Sequence, residues 1–253
     1  NKELLDMGRV DWKFDGYITS DCEAVDDVWD THDYAPSIEQ AIKDTLDAGM
    51  DTDCGAAFAN GLLSAVENGN VTIPDLDRAL VNLFAVQMRL GMFDQTSPFD
   101  GLTWANDVNT AASQQLALEA AQQAMVLLKN DGTLPLDASA TGSVAMVGPH
   151  ANATDAMYGN YHGNAPYMTS PYDGVSAYVD SVTYAEGCDI NSTDASNIAG
   201  AASLATDADV VVVAVGIDQS IEAESNDRWY IDLPGEQPAL VEAVLEAANG
   251  KPV

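Results

Sequence analysis

The stretch Gly16-Tyr17-Ile18-Thr19-Ser20-Asp21-Cys22-Glu23-Ala24-Val25 decides how this chain is read. Its apolar, β-type run Tyr17–Thr19 stops abruptly at Ser20, Asp21 and Cys22. A carboxylate at the C-terminal end of a buried strand sits where α/β enzymes place their chemistry. A lone Asp after a strand also serves simply to cap a turn, so the neighbouring sequence has to decide. Downstream, Ser37 with Gln40 forms a capping-box pattern. Ile38, Ala41, Ile42 and Leu46 recur at helical spacing, and Gly49 stops the helix. Met50–Cys54 then reads as a second short strand with an acidic end at Asp53. Strand, helix and strand within 16–54 make a β/α unit of a parallel sheet.

Working outward, Leu4 and Leu5 fit the end of a helix that runs toward Arg9. Between the two strands lie Asp26, Asp27, Asp30, His32 and Asp33. They match no calcium-loop pattern and have no second His at helical spacing, so they read as a solvated loop and no metal is expected. Helices are expected over Ala56–Asn68 and onward from Thr72, Pro74 and Asp75 to Gly91. The second has Leu76, Leu80, Leu83, Phe84 and Met88 as its core face. Phe93–Asn109 has neither period and reads as a linker. Beyond it come a helix over Gln115–Lys129, strands at Ser143–Val147 and Ser181–Tyr184, and a helix over Ala195–Ala205. Asp209–Val215 is the strongest strand, a β-branched run of the fully buried parallel kind. A helix over Gln237–Ala248 leads into Lys251–Val253, which resembles the start of another strand. This is a second α/β domain. The missing initiator Met and the strand-like end make the sequence read as an internal piece of a longer protein.

The 253 residues are 47% hydrophobic, enough to bury a core, and carry a net charge of −31 from 40 acidic and 9 basic residues. Such a field repels phosphate backbones, so nucleic acid is not an expected partner. A neutral sugar is not repelled, and a salty habitat would account for the acidity. No run of about 18 apolar residues is present to span a membrane. There is no GxSxG, CxxC or HExxH, His32, His150 and His162 are scattered, and GIDQS after the 209–215 strand is not a dinucleotide fingerprint, so no cofactor is expected. The sequons at Asn70, Asn152 and Asn191 are compatible with a secreted glycoprotein, hence an extracellular or periplasmic location. What remains as chemistry is carboxylates in strand-end loops: Asp21, then Glu222, Glu224 and Asp227. Two carboxyls facing each other are the minimal equipment of a glycosidase, but sequence alone does not bring them together.

The whole chain resembles the middle of a glycoside hydrolase family 3 enzyme. The matching stretches are WKFDGYITSDCEAV (12–25), AGMDTDCG (48–55), RLGMFD (89–94), AMVLLKNDGTLPL (124–136), AMVGPHAN (145–152), GNYHG (159–163) and VGIDQSIEAESNDR (215–228). The resemblance implies that residues 1–98 are the C-terminal part of a (β/α)8-type barrel, 99–114 a linker and 115–253 an incomplete α/β sandwich domain. It implies a nucleophile at Asp21 and an acid/base at Glu224, the Glu of an ExxDR pattern, with Glu222 second and Arg228 anchoring the loop through a carboxylate. These two carboxyls lie 224 − 21 = 203 positions apart. The chemistry needs one carboxyl ionised and the other protonated near neutral pH.

Cys22 after the nucleophile, DCG at Asp53–Gly55 and SIEAE at Ser220–Glu224 resemble the β-xylosidase branch, whose members can also act on α-L-arabinofuranosides. The implied activity is retaining, exo-acting hydrolysis of xylo-oligosaccharides, with Cys22 near the substrate. A β-glucosidase, or a non-catalytic carbohydrate-binding relative, is the alternative. If Cys22 and Cys54 end adjacent parallel strands, they meet the distance limits of a disulfide, and that bond is expected. Cys188 has no evident partner. Ser113-Gln114 replaces a His usual in the family, and the residues that grip the sugar hydroxyls are expected upstream of Asn1.

Overall fold

Apolar residues spaced three and four apart build helices around one core between Val25 and Ala79, in a computed structural model that describes residues 1–253. Helix α1 (Lys2–Asp6) starts at Asn1, whose side chain accepts the N–H groups of Glu3 and Leu4, and it continues as a π-type turn over Met7–Asp11. Helix α2 (Ala24–Trp29) occupies the stretch expected to be an acidic loop. Val25 is buried and Val28 and Trp29 pack on the same core, while Asp27 and Asp30 stay exposed. Apolar spacing outweighs the acids there.

Helix α3 (Ile38–Ala48) begins with the Ser37 hydroxyl accepting the N–H of Gln40 at 3.4 Å. The reciprocal half of the expected capping box is not made, because the Gln40 amide reaches forward to Asp44 at 2.8 Å. Helix α4 (Ala57–Glu67) packs on α3 at Gly61, where a Cβ would come within about 3 Å of Ile38 and Ile42. Helix α5 (Ile73–Arg89) turns Leu76 and Ala79 to the core, whereas Leu80, Phe84 and Met88 are exposed. The expected core face is rotated because Arg78 and Asn82 reach inward to Asp51. The expected linker contains helix α6 (Trp104–Asp107), capped by Thr103. Helix α7 (Ala111–Ala124) starts before the expected 115 and stops before 129.

The expected strands at 16–19 and 50–54 meet in a single parallel bridge, Thr19 with Thr52. Asp51 and Thr52 donate to the Ile18 carbonyl at 2.8 and 3.1 Å, and Ser20 donates to the Thr52 carbonyl at 3.0 Å. The pairing stays short because the N–H of Ile18 goes to the Asp51 carboxylate, at 2.9 Å, instead of to a neighbouring carbonyl. The barrel expectation therefore meets one parallel bridge in these residues.

The chain divides into two units, Asn1–Ala124 and Met125–Val253, so α7 groups with the first. The second is α/β with a small parallel sheet of β1 (Val144–Val147), β2 (Val182–Ala185) and β3 (Val210–Val213), in the order β2-β1-β3. Val144 stands opposite Val182 on one side and Val210 on the other. The central, fully buried strand is β1, not the β-branched β3, whose Val212 and Val213 are only half-buried. β3 flanks the sheet, and its outer side takes one bond, Val211 N–H to the Pro252 carbonyl at 2.9 Å.

Strand alternation sends Ala145, Val147 and Val211 to one face, under α9 (Ile198–Asp207) and α10 (Gln237–Ala248). Val144, Met146 and Val210 face the other way, where Tyr172 and Val175 of α8 (Pro171–Ser176) pack. Beyond β1 and β3 the chain leaves the C-terminal edge of the sheet in two adjacent loops. His150 N–H donates to the Ala214 carbonyl at 3.1 Å, and Gly148, at φ 113°, lies so close to that carbonyl that a Cβ would stand 2.3 Å from it. In a parallel sheet this edge is the one that carries sites.

Candidate active site

Asp21 emerges, exposed, where the parallel bridge ends. Its Oδ1 accepts the Cys22 N–H at 2.8 Å and its carbonyl accepts the Ala24 N–H at 3.2 Å, which turns the chain into α2 through Glu23 at φ 65°. The segment beneath is fixed by Ser20, whose hydroxyl donates to Asp53 Oδ1 at 3.2 Å and accepts the Cys54 N–H at 2.9 Å. The other Asp53 oxygen accepts the Phe58 N–H at 3.1 Å, at the start of α4. Asp53 therefore orients Ser20 and ties two segments together. Cys22 and Cys54 are disulfide-bonded, with Cα atoms 4.3 Å apart, so Cys22 offers a ligand no thiol.

The buried charge below this turn is Asp51, not Asp53. Its side chain is 0% exposed. It takes Arg9 and the Ile18 N–H on one oxygen, and Arg78 and Asn82 on the other at 3.2 and 2.9 Å. Arg9 also donates to the Gly16 carbonyl at 2.9 Å. A buried carboxylate with four donors is a satisfied one, and it clamps the extended segment that leads into Asp21.

In the second unit, Glu224 stands at the tip of a tight turn. Ala223 and Asn226 exchange both backbone hydrogen bonds, at 2.9 and 3.0 Å, leaving Glu224 and Ser225 at the apex with Ser225 at φ 63°. The approach is built from Asp218, whose carboxylate accepts the Ser220 N–H at 2.9 Å and whose carbonyl accepts the N–H groups of Ile221 and Glu222. The Asn226 amide closes the loop on the Ser220 carbonyl at 3.1 Å. At the root of the loop, buried Gln237 of α10 both donates to and accepts from Gly216, at 2.8 Å each, and holds the Ile190 carbonyl at 2.7 Å.

The two candidate glutamates are engaged differently. Glu222 is paired with Arg228 at 3.1 Å. Glu224 Oε2 accepts the Asn160 amide at 3.1 Å and the Tyr161 hydroxyl, both from the neighbouring loop after β1. Asp227 lies three residues on and exposed. Asn160 and Tyr161 were not singled out as site residues from sequence. Their only signal there was the motif GNYHG at 159–163. Cys188 is buried and unpaired, and burial first, then the carboxylates of Glu186, Glu236 and Asp189, push its thiol up. It belongs to the core beside Leu240 and Ala201.

Residues 125–253 match the model of the glycosyl hydrolase family 3 C-terminal domain, a span that includes Glu224 and excludes Asp21. The chain is 42% identical over 253 residues to probable β-D-xylosidase 7 of Arabidopsis thaliana, covering 99% of this chain and 33% of that protein. Among solved structures it is similar to a GH3 exo-β-xylosidase in complex with a xylobiose aziridine activity-based probe. There the TM-score is 0.88 at 39% identity, over 96% of this chain and 31% of the other. It is similar also to a β-glucosidase from Listeria innocua in complex with glucose, with a TM-score of 0.86 at 27% identity, over 100% of this chain and 34% of the other. The chain spans about a third of the length of the curated relatives it matches.

Proposed function

Because the chain belongs to glycoside hydrolase family 3, we propose that the full-length protein is a retaining exo-β-glycosidase that releases non-reducing-end β-D-xylosyl residues from xylo-oligosaccharides. The observation that carries this reading is the 42% identity to a relative named as a β-D-xylosidase across 99% of the chain, a span that holds both Asp21 and Glu224. In this reading residues 1–98 supply the C-terminal part of a (β/α)8-type barrel, 99–114 a linker and 115–253 an α/β sandwich. The Cys22–Cys54 disulfide favours an oxidising compartment, extracellular or periplasmic.

Asp21 attacks the anomeric carbon as its bond to the leaving oxygen breaks, forming a covalent glycosyl-enzyme. Glu224 gives its proton to that oxygen. In the second half Glu224 takes a proton from water, whose oxygen displaces Asp21. This mechanism requires one carboxyl to act ionised, as nucleophile, and the other to act protonated, as acid. Glu224 is preferred to Glu222 because Glu222 is engaged by Arg228. A β-glucosidase is the second reading, supported by the similarity to the Listeria enzyme over the whole chain.

Hydrolysis of aryl β-xyloside, β-glucoside and α-L-arabinofuranoside by the full-length protein tests the proposal, with Asp21→Asn as control. Xyloside turnover is expected to lead and to fall by roughly 10⁴-fold or more in Asp21→Asn, while sugar binding persists. Faster glucoside turnover would keep the mechanism and replace the substrate. A folded protein that binds sugar and hydrolyses none of the three would support a non-catalytic carbohydrate-binding relative instead.

A further inference from the structure

We infer that Asn160 and Tyr161, in the loop after β1, are positioning residues that aim the proton-transferring carboxyl of Glu224. This rests on the reading of Glu224 as the acid/base. Both donors converge on one oxygen, Oε2, which leaves Oε1 to carry the exchanged proton. When Glu224 is ionised, Oε2 accepts these bonds as a carboxylate oxygen. When Oε1 is protonated, Oε2 is the carbonyl-type oxygen of an acid and accepts them still. The two contacts therefore fix the rotamer in both halves of the cycle, as the proton leaves Oε1 for the departing oxygen and returns from water.

Such a clamp has work to do here. Glu224 is exposed at the apex of a two-residue turn, and an unrestrained Glu side chain samples many rotamers. Misplacing a catalytic group by a fraction of its reach is costly in rate. The donor loop is itself held in shape. The Tyr158 ring stacks on His162 with centroids 4.1 Å apart, and the Tyr158 hydroxyl accepts the Ala165 N–H at 3.3 Å. Gln219, on the loop that carries Glu224, donates to the Tyr158 carbonyl at 3.0 Å. The two loops are thus joined at both Gln219 and Glu224.

A leaving-group comparison in the full-length protein separates aiming from mere loop support. The substrates are phenyl and 2,4-dinitrophenyl glycosides of whichever sugar it hydrolyses. Phenol needs a proton to depart and dinitrophenol does not, so only the first depends on the general acid. Tyr161→Phe, which removes one hydroxyl from an exposed ring, is expected to lower kcat/KM about tenfold on the phenyl glycoside and less than about twofold on the dinitrophenyl glycoside. Asn160→Asp replaces the amide donor by a like charge and should act in the same sense. Equal losses on both substrates would make the two residues structural and overturn the inference. Glu224→Gln is the separate control. If it leaves phenyl glycoside turnover intact, the assignment of Glu224 falls, and the inference with it. If it stops phenyl but not dinitrophenyl glycosylation, that assignment stands and Tyr161→Phe alone decides.

Discussion

At the residue scale, the largest single commitment in the first unit is the buried charge of Asp51. Removing one member of a buried ion pair typically costs 3–5 kcal/mol, because the partners are left without a counter-charge. Arg9 and Arg78 are 21% and 40% exposed, and water would compensate each in part. Asp51→Asn keeps the shape and the side-chain carbonyl, so the expected loss is about 2–3 kcal/mol, read from chemical denaturation midpoints. A loss under about 0.5 kcal/mol would mean that the network behaves as a surface one. This residue was not legible in the sequence. Met50–Cys54 offers two acids, and the partners of Asp51 arrive from 42 positions before it and from 27 and 31 positions after it. No local pattern announces a pairing of that range. Asp21 and Glu224, by contrast, stand out in the sequence as candidates because the motifs around them are contiguous.

At the scale of elements, the start of α5 was readable because its causes lie within four residues. Thr72 and Asp75 start α5 as their spacing implies, the Asp75 carboxylate accepting the Thr72 N–H at 2.9 Å and its hydroxyl at 2.8 Å. The backbone bond first, and the hydroxyl next, hold the Asp75 carboxyl below its ordinary 3.8, with Lys43 and Arg78 adding to them. A lowered native value means stability that is present above 3.8 and lost as pH falls through that lower value. Asp75→Ala should therefore cost about 0.3–1 kcal/mol at pH 7, and its difference from wild type should shrink as the pH is lowered through the acid range. Denaturation midpoints of the two proteins across pH check this, and a difference independent of pH would assign the loss to something other than the ionised cap. Sheet position was less readable. The run Val210–Val213 has the stronger β propensity, yet Val144–Val147 takes the centre. Propensity says that a segment is extended, and it does not say which neighbours flank it. The exposed side of α5 was misread for a related reason. Leu80, Phe84 and Met88 share a helical period with the core, but the inward polar pair Arg78 and Asn82 fixes the rotation.

At the scale of the whole molecule, the dominant fact is charge. Six of the nine basic side chains pair with six carboxylates, so of 40 acidic residues 40 − 6 = 34 have no basic partner within ion-pair distance. A folded chain at −31 repels itself, and unfolding relieves that repulsion by spreading the charges. Raising the ionic strength shortens the screening length from about 10 Å at 0.1 M to about 3 Å at 1 M. Simple salt should therefore stabilise this protein, although it weakens the few ion pairs present. Exposed pairs such as Lys2–Asp6 contribute little to begin with. The melting temperature is expected to rise between 0.05 and 1 M sodium chloride, by about 2–4 °C for each 1 kcal/mol of repulsion that is screened. Chloride is the right anion for the test, because sulfate strengthens apolar burial by exclusion and would mimic the effect. An equimolar series in a neutral osmolyte separates screening from exclusion. Each unit is to be followed by its own probe, as two units need not melt together. A melting temperature that stays flat or falls with chloride would show that the acidic residues are too far apart in the folded chain to repel, and the case for a salty habitat would lose its physical basis.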